Sequence, residues 1–327
     1  MFDINEKEKR VLGSWILQNL SDLQFSSVYD PFSGNTRLGS YFKKMGYQVI
    51  TSDILQCNYW WNKAIIENKT AQISEHTKNQ VLNLDSTITS IFSDWTDSFF
   101  TADECRWLEI WNSNINTISL PDEEKAMIYV AVYLTMDYWI TYNKRYFQTK
   151  YMSPSAALQY YMDLVNRWIF DNGMPNVSYY YDSYDIAAQI PTEVVYLYPP
   201  SKDGFRNYNM RFYLWECWTR RVNQLNLEGV ISKAEHPKLG ETFSDLNTYS
   251  IALDAFLEKI QGNPIWVVSY NDQVAPGKDA LIDIIKNYKN IHKEVEIELP
   301  YPTAAGTSTV KEGIIIAKQV GASKQCS

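Results

Sequence analysis

Val194-Val195-Tyr196-Leu197-Tyr198-Pro199-Pro200-Ser201 is an apolar and aromatic run that ends in a double proline. A short apolar run bounded by a breaker is the pattern of a buried strand. Residues just past such a strand end stand where open α/β sheets bind ligands. Here they are Tyr198, Pro199, Pro200 and Ser201, which offer a phenol, two backbone carbonyls and a hydroxyl. A second constellation lies near the N-terminus. Val28-Tyr29-Asp30-Pro31-Phe32-Ser33-Gly34-Asn35-Thr36-Arg37-Leu38-Gly39 reads as a short strand, a turn containing glycine and a helix start. The helix runs through Met45 and stops at Gly46, a residue suited to a left-handed C-terminal cap. A second strand, Tyr47 to Ser52, ends in Asp53. Nucleotide-like cofactors use such a βαβ half-unit, because the turn lets backbone approach the ligand and the acid accepts from ribose hydroxyls. The candidate contacts are Asp30, Phe32, Gly34 and Asp53. Taken alone, a single-glycine turn is a weak signal, and a structural turn beside a solvated acid is the simpler account.

Company changes that balance. The run from Pro31 to Ile54, followed by Asn58 to Asn68, resembles the D12-class adenine-specific DNA methyltransferases, the S-adenosylmethionine-dependent enzymes of restriction–modification systems. Later segments follow in family order. Phe99-Phe100-Thr101 precedes a helix with Glu104. Val194 to Ser201 resembles the catalytic strand. Arg206-Asn207-Tyr208-Asn209 and Tyr213-Leu214-Trp215-Glu216 resemble the segment after it, and Val267 to Asp272 resembles a later core strand. The resemblance runs from about Gly13 to about Lys318 and is most specific over Phe32–Asn68. It implies an α/β fold of the class I S-adenosylmethionine-dependent methyltransferase type, a Rossmann-like, mostly parallel sheet with a helical insertion. The parts expected are a cofactor-type half (1–78), a helical insertion holding part of the DNA-recognition region (79–175), a half carrying the catalytic strand (176–320) and a disordered tail (321–327). S-adenosylmethionine is the implied cofactor and DNA the implied partner.

The departures fall on the chemistry. In the family, a carboxylate or amide and the carbonyl of the first proline accept the two hydrogens of the target amine, while an aromatic ring stacks on the base. Tyr198 replaces the acid or amide, and Ser201 replaces the aromatic. Thr36 replaces a second glycine of the cofactor turn, Gly13-Ser14-Trp15 stands for Gly-Ser-Lys, and Leu299 to Gly306 carries no charge where a basic loop is expected. A β-branched residue at Thr36 would be strained by positive φ. The resulting expectation is a protein of DNA modification with weak or lost catalysis, acting in recognition or as a subunit beside a partner methyltransferase or nuclease. S-adenosylmethionine binding is expected to be weak or absent. The alternatives are an active methyltransferase with an altered substrate and an interaction protein that has lost both ligands.

Composition bears on partners. The net charge of −8 among 327 residues lowers the prior for gripping duplex DNA unaided, because phosphate contacts dominate that affinity. It fits a subunit whose partner supplies basic surface. The candidate phosphate or base contacts are Lys144, Arg145, Arg206, Tyr208 and Arg211, with Arg220 and Arg221; basic and aromatic side chains interleave there, a pattern that suits nucleic acid and ordinary core edges alike. Arg37, Lys43 and Lys44 read as a solvated helix face, and Tyr179-Tyr180-Tyr181 as a buried strand with its rim. Four dispersed cysteines and three histidines show no metal-site spacing, so no metal is expected. Reduced cysteines, a charged N-terminus and the lack of a long apolar window point to a cytoplasmic protein with no membrane partner.

Stepping along the chain, helices are expected at 6–21, 56–68, 207–222, 245–261 and 277–288, with helical pattern throughout 79–170. A capping box opens one helix at Thr101–Glu104, and prolines at 121 and 154 open two more. Strands are expected at 177–181, 193–198, 264–269, 293–299 and 312–317, and residues 70–78 as a loop.

Overall fold

The computed structural model describes residues 4–83, 90–145, 152–180, 186–198, 212–224, 246–272, 277–303 and 306–319. Seven strands form one sheet: β1 (Ser27–Asp30), β2 (Gln48–Asp53), β3 (Val177–Tyr180), β4 (Val194–Leu197), β5 (Ile265–Asn271), β6 (Asn290–Thr303) and β7 (Gly306–Lys318). Their spatial order is β3-β2-β1-β4-β5-β7-β6. The first five run parallel, and β7 is antiparallel to both β5 and β6. The sequence order reverses between β1 and β4, which makes the crevice above that pair the switch point of the sheet. This is the class I methyltransferase-like architecture expected from the sequence.

Parallel strands covered on both faces read as continuous apolar runs, and each successive residue serves the opposite face. Val28, Val194, Val267 and Ile314 pack on one face with Ile16 and Leu20 of α1 (Ile4–Asn19) and Phe42 of α2 (Arg37–Lys44). Their neighbours Tyr29, Val195, Val268 and Ile315 pack on the other with Leu253 and Phe256 of α9 (Leu246–Lys259) and Ile285 of α10 (Lys278–Lys286).

A third core lies among helices. Trp61 of α3 (Gln56–Asn62), Trp111 of α5 (Ala102–Thr117) and Tyr133 and Trp139 of α6 (Asp122–Arg145) share it with Met162 of α7 (Pro154–Asn166). Trp215 and Trp218 join from the helical residues 212–220, here α8. Trp215 stacks on Trp61 at 5.2 Å and on Tyr133 at 4.9 Å between ring centroids. The expected capping box is present: Thr101 Oγ1 accepts Glu104 N and Glu104 accepts Thr101 N.

Three expectations change. Residues 70–78 are not all loop: Ser74 caps α4 (Glu75–Val81), accepting Thr77 N at 3.1 Å. Lys78 secures this helix by pairing with Glu75 and with Asp163 of α7. The helical pattern is also interrupted, since residues 93–95 make one 3-10 turn and Asp97 takes a positive φ of 64°. Finally, β6 and β7 outrun the strands expected at 293–299 and 312–317. Their ladder continues from Ile297↔Glu312 to Thr303↔Gly306, past the end of β5 at Asn271. Pro300 and Pro302 are accommodated because β6 is the edge strand. The tail 321–327 lies outside the described residues.

Candidate functional site

β1 and β4 are hydrogen-bonded neighbours, in the register Val28↔Val194 and Tyr29↔Val195. The turn after Asp30 and the segment after Leu197 therefore leave the sheet side by side. Pro199, Pro200 and Ser201 lie outside the described residues, as do Arg206, Tyr208 and Arg211. The description of the catalytic-type segment thus ends at Tyr198.

The turn is held from three directions. Ser33 donates through Oγ to Ser52 O at 3.0 Å, which ties the turn to the end of β2. Asn62 reaches up from α3, its Nδ2 lying 2.9 Å from Ser33 Oγ and 3.0 Å from Gly34 O. Gly34 takes φ 51°, a conformation open to glycine, and its N–H donates to Asp53 Oδ2 at 2.9 Å. Thr36 also sits in the left-handed region, at φ 48°, as the residue before α2. For a β-branched side chain that is an outlier. Its hydroxyl is buried without a hydrogen-bond partner, and an added Cβ on Gly39 would stand 2.3 Å from it.

Asp53 and Asp30 are both buried. Asp53 Oδ1 accepts Leu55 N at 2.8 Å while Oδ2 takes the Gly34 amide, and Asn58 adds a side-chain hydrogen bond. Burial nonetheless lifts its pKa to about 6, against those hydrogen bonds. Asp30 rises to about 7, first from burial, then from the charge of Asp53, with the Phe32 amide pulling the other way. Phe32 packs against Phe256 of α9, at 5.2 Å between centroids, rather than standing free.

Along β4 the tyrosines alternate. Tyr196 is buried and accepts Ser269 Oγ at 2.9 Å. Tyr198 is 42 % exposed, and its hydroxyl donates toward Glu312 Oε2 of β7 at 3.5 Å. Asn271, the last residue of β5, donates to the other Glu312 oxygen at 2.8 Å. Nothing in the sequence marks Glu312 or Asn271 as a site residue, because antiparallel pairing of β5 with β7 is what brings them together.

Glu216 is a further residue whose role the spacing conceals. It is fully buried on α8 and accepts Gln56 N at 3.1 Å and Cys57 N at 2.8 Å, at the N-terminus of α3. Arg220 pairs with it at 2.5 Å and donates to Tyr180 OH at 3.0 Å. Arg221 pairs with buried Glu109 at 2.7 Å. Both arginines are thus engaged within the protein. Lys144 and Arg145 are the last two residues of α6.

Lys43 corrects the reading of a solvated basic face. It is fully buried and donates to Ile65 O at 3.0 Å and Asn68 O at 2.8 Å. Burial lowers its pKa to about 8. Tyr179 and Tyr180, read with Tyr181 as a buried strand and its rim, are exposed at the end of β3. Gly13, Ser14 and Trp15 lie within the continuous helix α1, as expected, and Gly13 packs on the Tyr41 ring. Among the described residues no group of three or more His, Cys, Asp or Glu could hold a metal, and no helix is long and apolar enough to cross a membrane.

Residues 8–217 match the family model of the D12 class N6 adenine-specific DNA methyltransferases. The chain is also 24 % identical over 319 residues to the Type II methyltransferase M2.HphI of Haemophilus parahaemolyticus, an alignment covering 91 % of this chain and 90 % of that protein.

Proposed function

The chain belongs to the D12 class N6 adenine-specific DNA methyltransferase family, and from that premise we propose that it serves DNA modification through recognition, or as a subunit of an assembly, with its own methyl transfer weak or lost. The observation that carries this reading is Tyr198 at the end of β4. Methylation of a base amine develops positive charge on nitrogen, which a carboxylate or amide oxygen close to the strand end must balance. A phenol carries its oxygen further from the backbone, and here it is turned toward Glu312. Loss of one positioned group of this kind costs on the order of a hundredfold in rate or more.

The cofactor side supports the same reading. S-adenosylmethionine, when bound in this family, supplies the methyl group. A carboxylate has about four lone-pair positions, and three at Asp53 are used by Gly34 N, Leu55 N and the Asn58 side chain. A ribose diol needs two acceptors, so these residues do not fit it well. Thr36 adds a strained side chain to the same turn. A second reading, methyl transfer to a different acceptor with Tyr198 in a new role, is favoured by the contact between Tyr198 and Glu312.

The test is transfer of labelled methyl groups to mixed-sequence DNA by the purified chain, beside a mobility-shift titration on the same DNA. Binding without incorporation is expected. Clear incorporation into adenine, abolished by Tyr198→Ala, overturns the proposal.

A further inference from the structure

We infer that the open edge of β6, between Glu294 and Glu298, takes up an extended segment of a partner protein in which basic and apolar residues alternate. The inference rests on the reading of the chain as a subunit of an assembly, and names the chemistry of the partner.

β6 ends the sheet, and among the described residues no strand pairs with its outer side. Such an edge offers a row of unused backbone N–H and C=O groups. Its two ends are blunted, by the register shift between Ile291 and Lys293 and by Pro300 and Pro302. The stretch between them is not. A proline in an edge strand turns its nitrogen away from the neighbouring strand. The ladder to β7 is unbroken from Lys293 to Thr303, so residues in step with Pro300 present their backbone groups outward as well. These residues are Glu294, Glu296 and Glu298, and all three side chains are exposed. An added strand would find six backbone groups there.

The two faces of this edge differ. On one, Ile297 lines a groove with Val11, Ser14, Trp15 and Gln18 of α1, and Val11 is 43 % exposed. On the other stand the three glutamates. Lys278 of α10 already sits between Glu294 and Glu296, at 3.2 and 3.6 Å, and Lys311 of β7 is in register with Glu298. Three carboxylates against two lysines leave the row negative, on a chain of net charge −8. Residues directly opposite across two strands share a face and interact most strongly. A strand laid on β6 would therefore set apolar side chains toward the α1 groove and basic ones against the glutamates. A second copy of this chain does not meet that need. Antiparallel pairing of two β6 edges through their outward groups sets glutamate against glutamate, and a one-residue slip turns the glutamates onto the apolar face.

The experiment measures fluorescence anisotropy of labelled peptides titrated with the full chain. The probes are a short peptide of alternating lysine and valine, a peptide of the same composition with its lysines and valines in separate blocks, and an alternating glutamate–valine peptide. The alternating basic peptide should bind about tenfold more tightly than the block peptide, since only it forms cross-strand pairs on both faces. N-methylation of the alternate amides that face β6 should abolish its binding. Glu298→Pro removes one outward N–H and spares the β7 ladder, and should weaken binding about fivefold or more. Glu298→Lys should weaken the basic peptide and strengthen the acidic one, with an unchanged urea midpoint; this variant decides the matter if Glu298→Pro loses its fold. Equal binding of alternating and block peptides, or binding that survives N-methylation, reduces the effect to charge attraction and overturns the inference. Self-association in sedimentation that Glu298→Pro abolishes overturns it too, by giving the edge to a second copy. Failure of every peptide to bind sinks the inference alone, because the methyl-transfer and mobility-shift assays judge the underlying reading separately.

Discussion

Glu216 caps a helix that begins 160 residues earlier in the chain, its carboxylate accepting the backbone N–H of Cys57 at 2.8 Å. The first N–H groups of a helix have no partner within it, and a carboxylate there also meets the positive end of the helix dipole. Through this one side chain α8, which follows the strand-end segment, is fastened to α3, which follows Asp53.

Removing that carboxylate leaves the amides of Gln56 and Cys57 unpaired and Arg220 without its carboxylate partner. Glu216→Ala should lower stability by roughly 3 kcal/mol. Glu216→Gln keeps an acceptor oxygen and should cost only about 1 kcal/mol. Urea melts followed by tryptophan fluorescence report both, since Trp215 and Trp218 lie on the same helix. Equal losses would show that the charge, rather than the acceptor, is what matters.

Thr36 and Gly39 should be strongly coupled. In the wild type, Gly39→Ala drives a methyl to within 2.3 Å of Thr36 Oγ1 and should cost about 2–3 kcal/mol. In a Thr36→Gly background the same change meets the flexible end of Ile66 at 3.3 Å and Val49 Cγ1 at 3.5 Å, an ordinary contact, and should be near neutral. Thr36→Gly alone should also be near neutral, because relief of left-handed strain, about 1 kcal/mol, offsets the loss of a buried methyl. A double-mutant cycle gives the coupling directly, and additive effects would rule the clash out.

The buried carboxylates set a pH dependence of unusual sign. Asp30 and Asp53 have folded pKa values of about 7 and about 6, above the ordinary 3.8. Between pH 4 and pH 7 the folded state holds protons that the unfolded chain has released, so their contribution to stability falls as pH rises through that window. Asp30→Asn should flatten the slope and add on the order of 3 kcal/mol at pH 8, with little change at pH 4. Stability that instead climbs steadily from pH 4 to pH 7 in the wild type and is unaltered by Asp30→Asn would contradict the buried placement.

Lys43 serves as an interior tie between α2 and the helical turn Lys63–Glu67 that continues α3. Lys43→Met should cost roughly 3 kcal/mol, because it strands the carbonyls of Ile65 and Asn68 in the core. A loss near zero would place the ammonium in solvent, as an amphipathic reading of α2 suggests.

What could be seen in the sequence follows from the range of the interactions involved. The βαβ unit was legible because strand, turn, helix and Asp53 are contiguous, and Gly46 marks the end of the helix in plain sight. The apolar runs around Val194 and Val267 were legible because strands buried on both faces have no polar alternation to confuse. Lys43 was misread because two of its carbonyl partners lie more than twenty residues downstream, where a helix ends. Glu312 and Glu216 were invisible as site residues for the same reason. Their partners, Asn271, Tyr198 and Cys57, are brought to them only by sheet order and by the packing of α8 on α3. The tryptophans of the helical core announced themselves by type, but their stacking order belongs to the tertiary structure.

The pairing of β1 with β4 also has a consequence for how the chain is made. Glu193, just before β4, accepts the amide and hydroxyl of Ser26 from 167 residues away. A ribosome extending the chain at 5–20 residues per second needs roughly ten to thirty seconds to supply that partner. Over this interval β1 waits with an open edge, while α3, α5, α6 and α7 emerge with most of their aromatic core in hand. Vectorial synthesis thus favours a nascent helical body that forms first and a sheet that closes last. β4, which delivers Tyr198, covers the open edge of β1 first, and β5, β6 and β7 follow it, so the crevice gains Asn271 and Glu312 only near the end of translation.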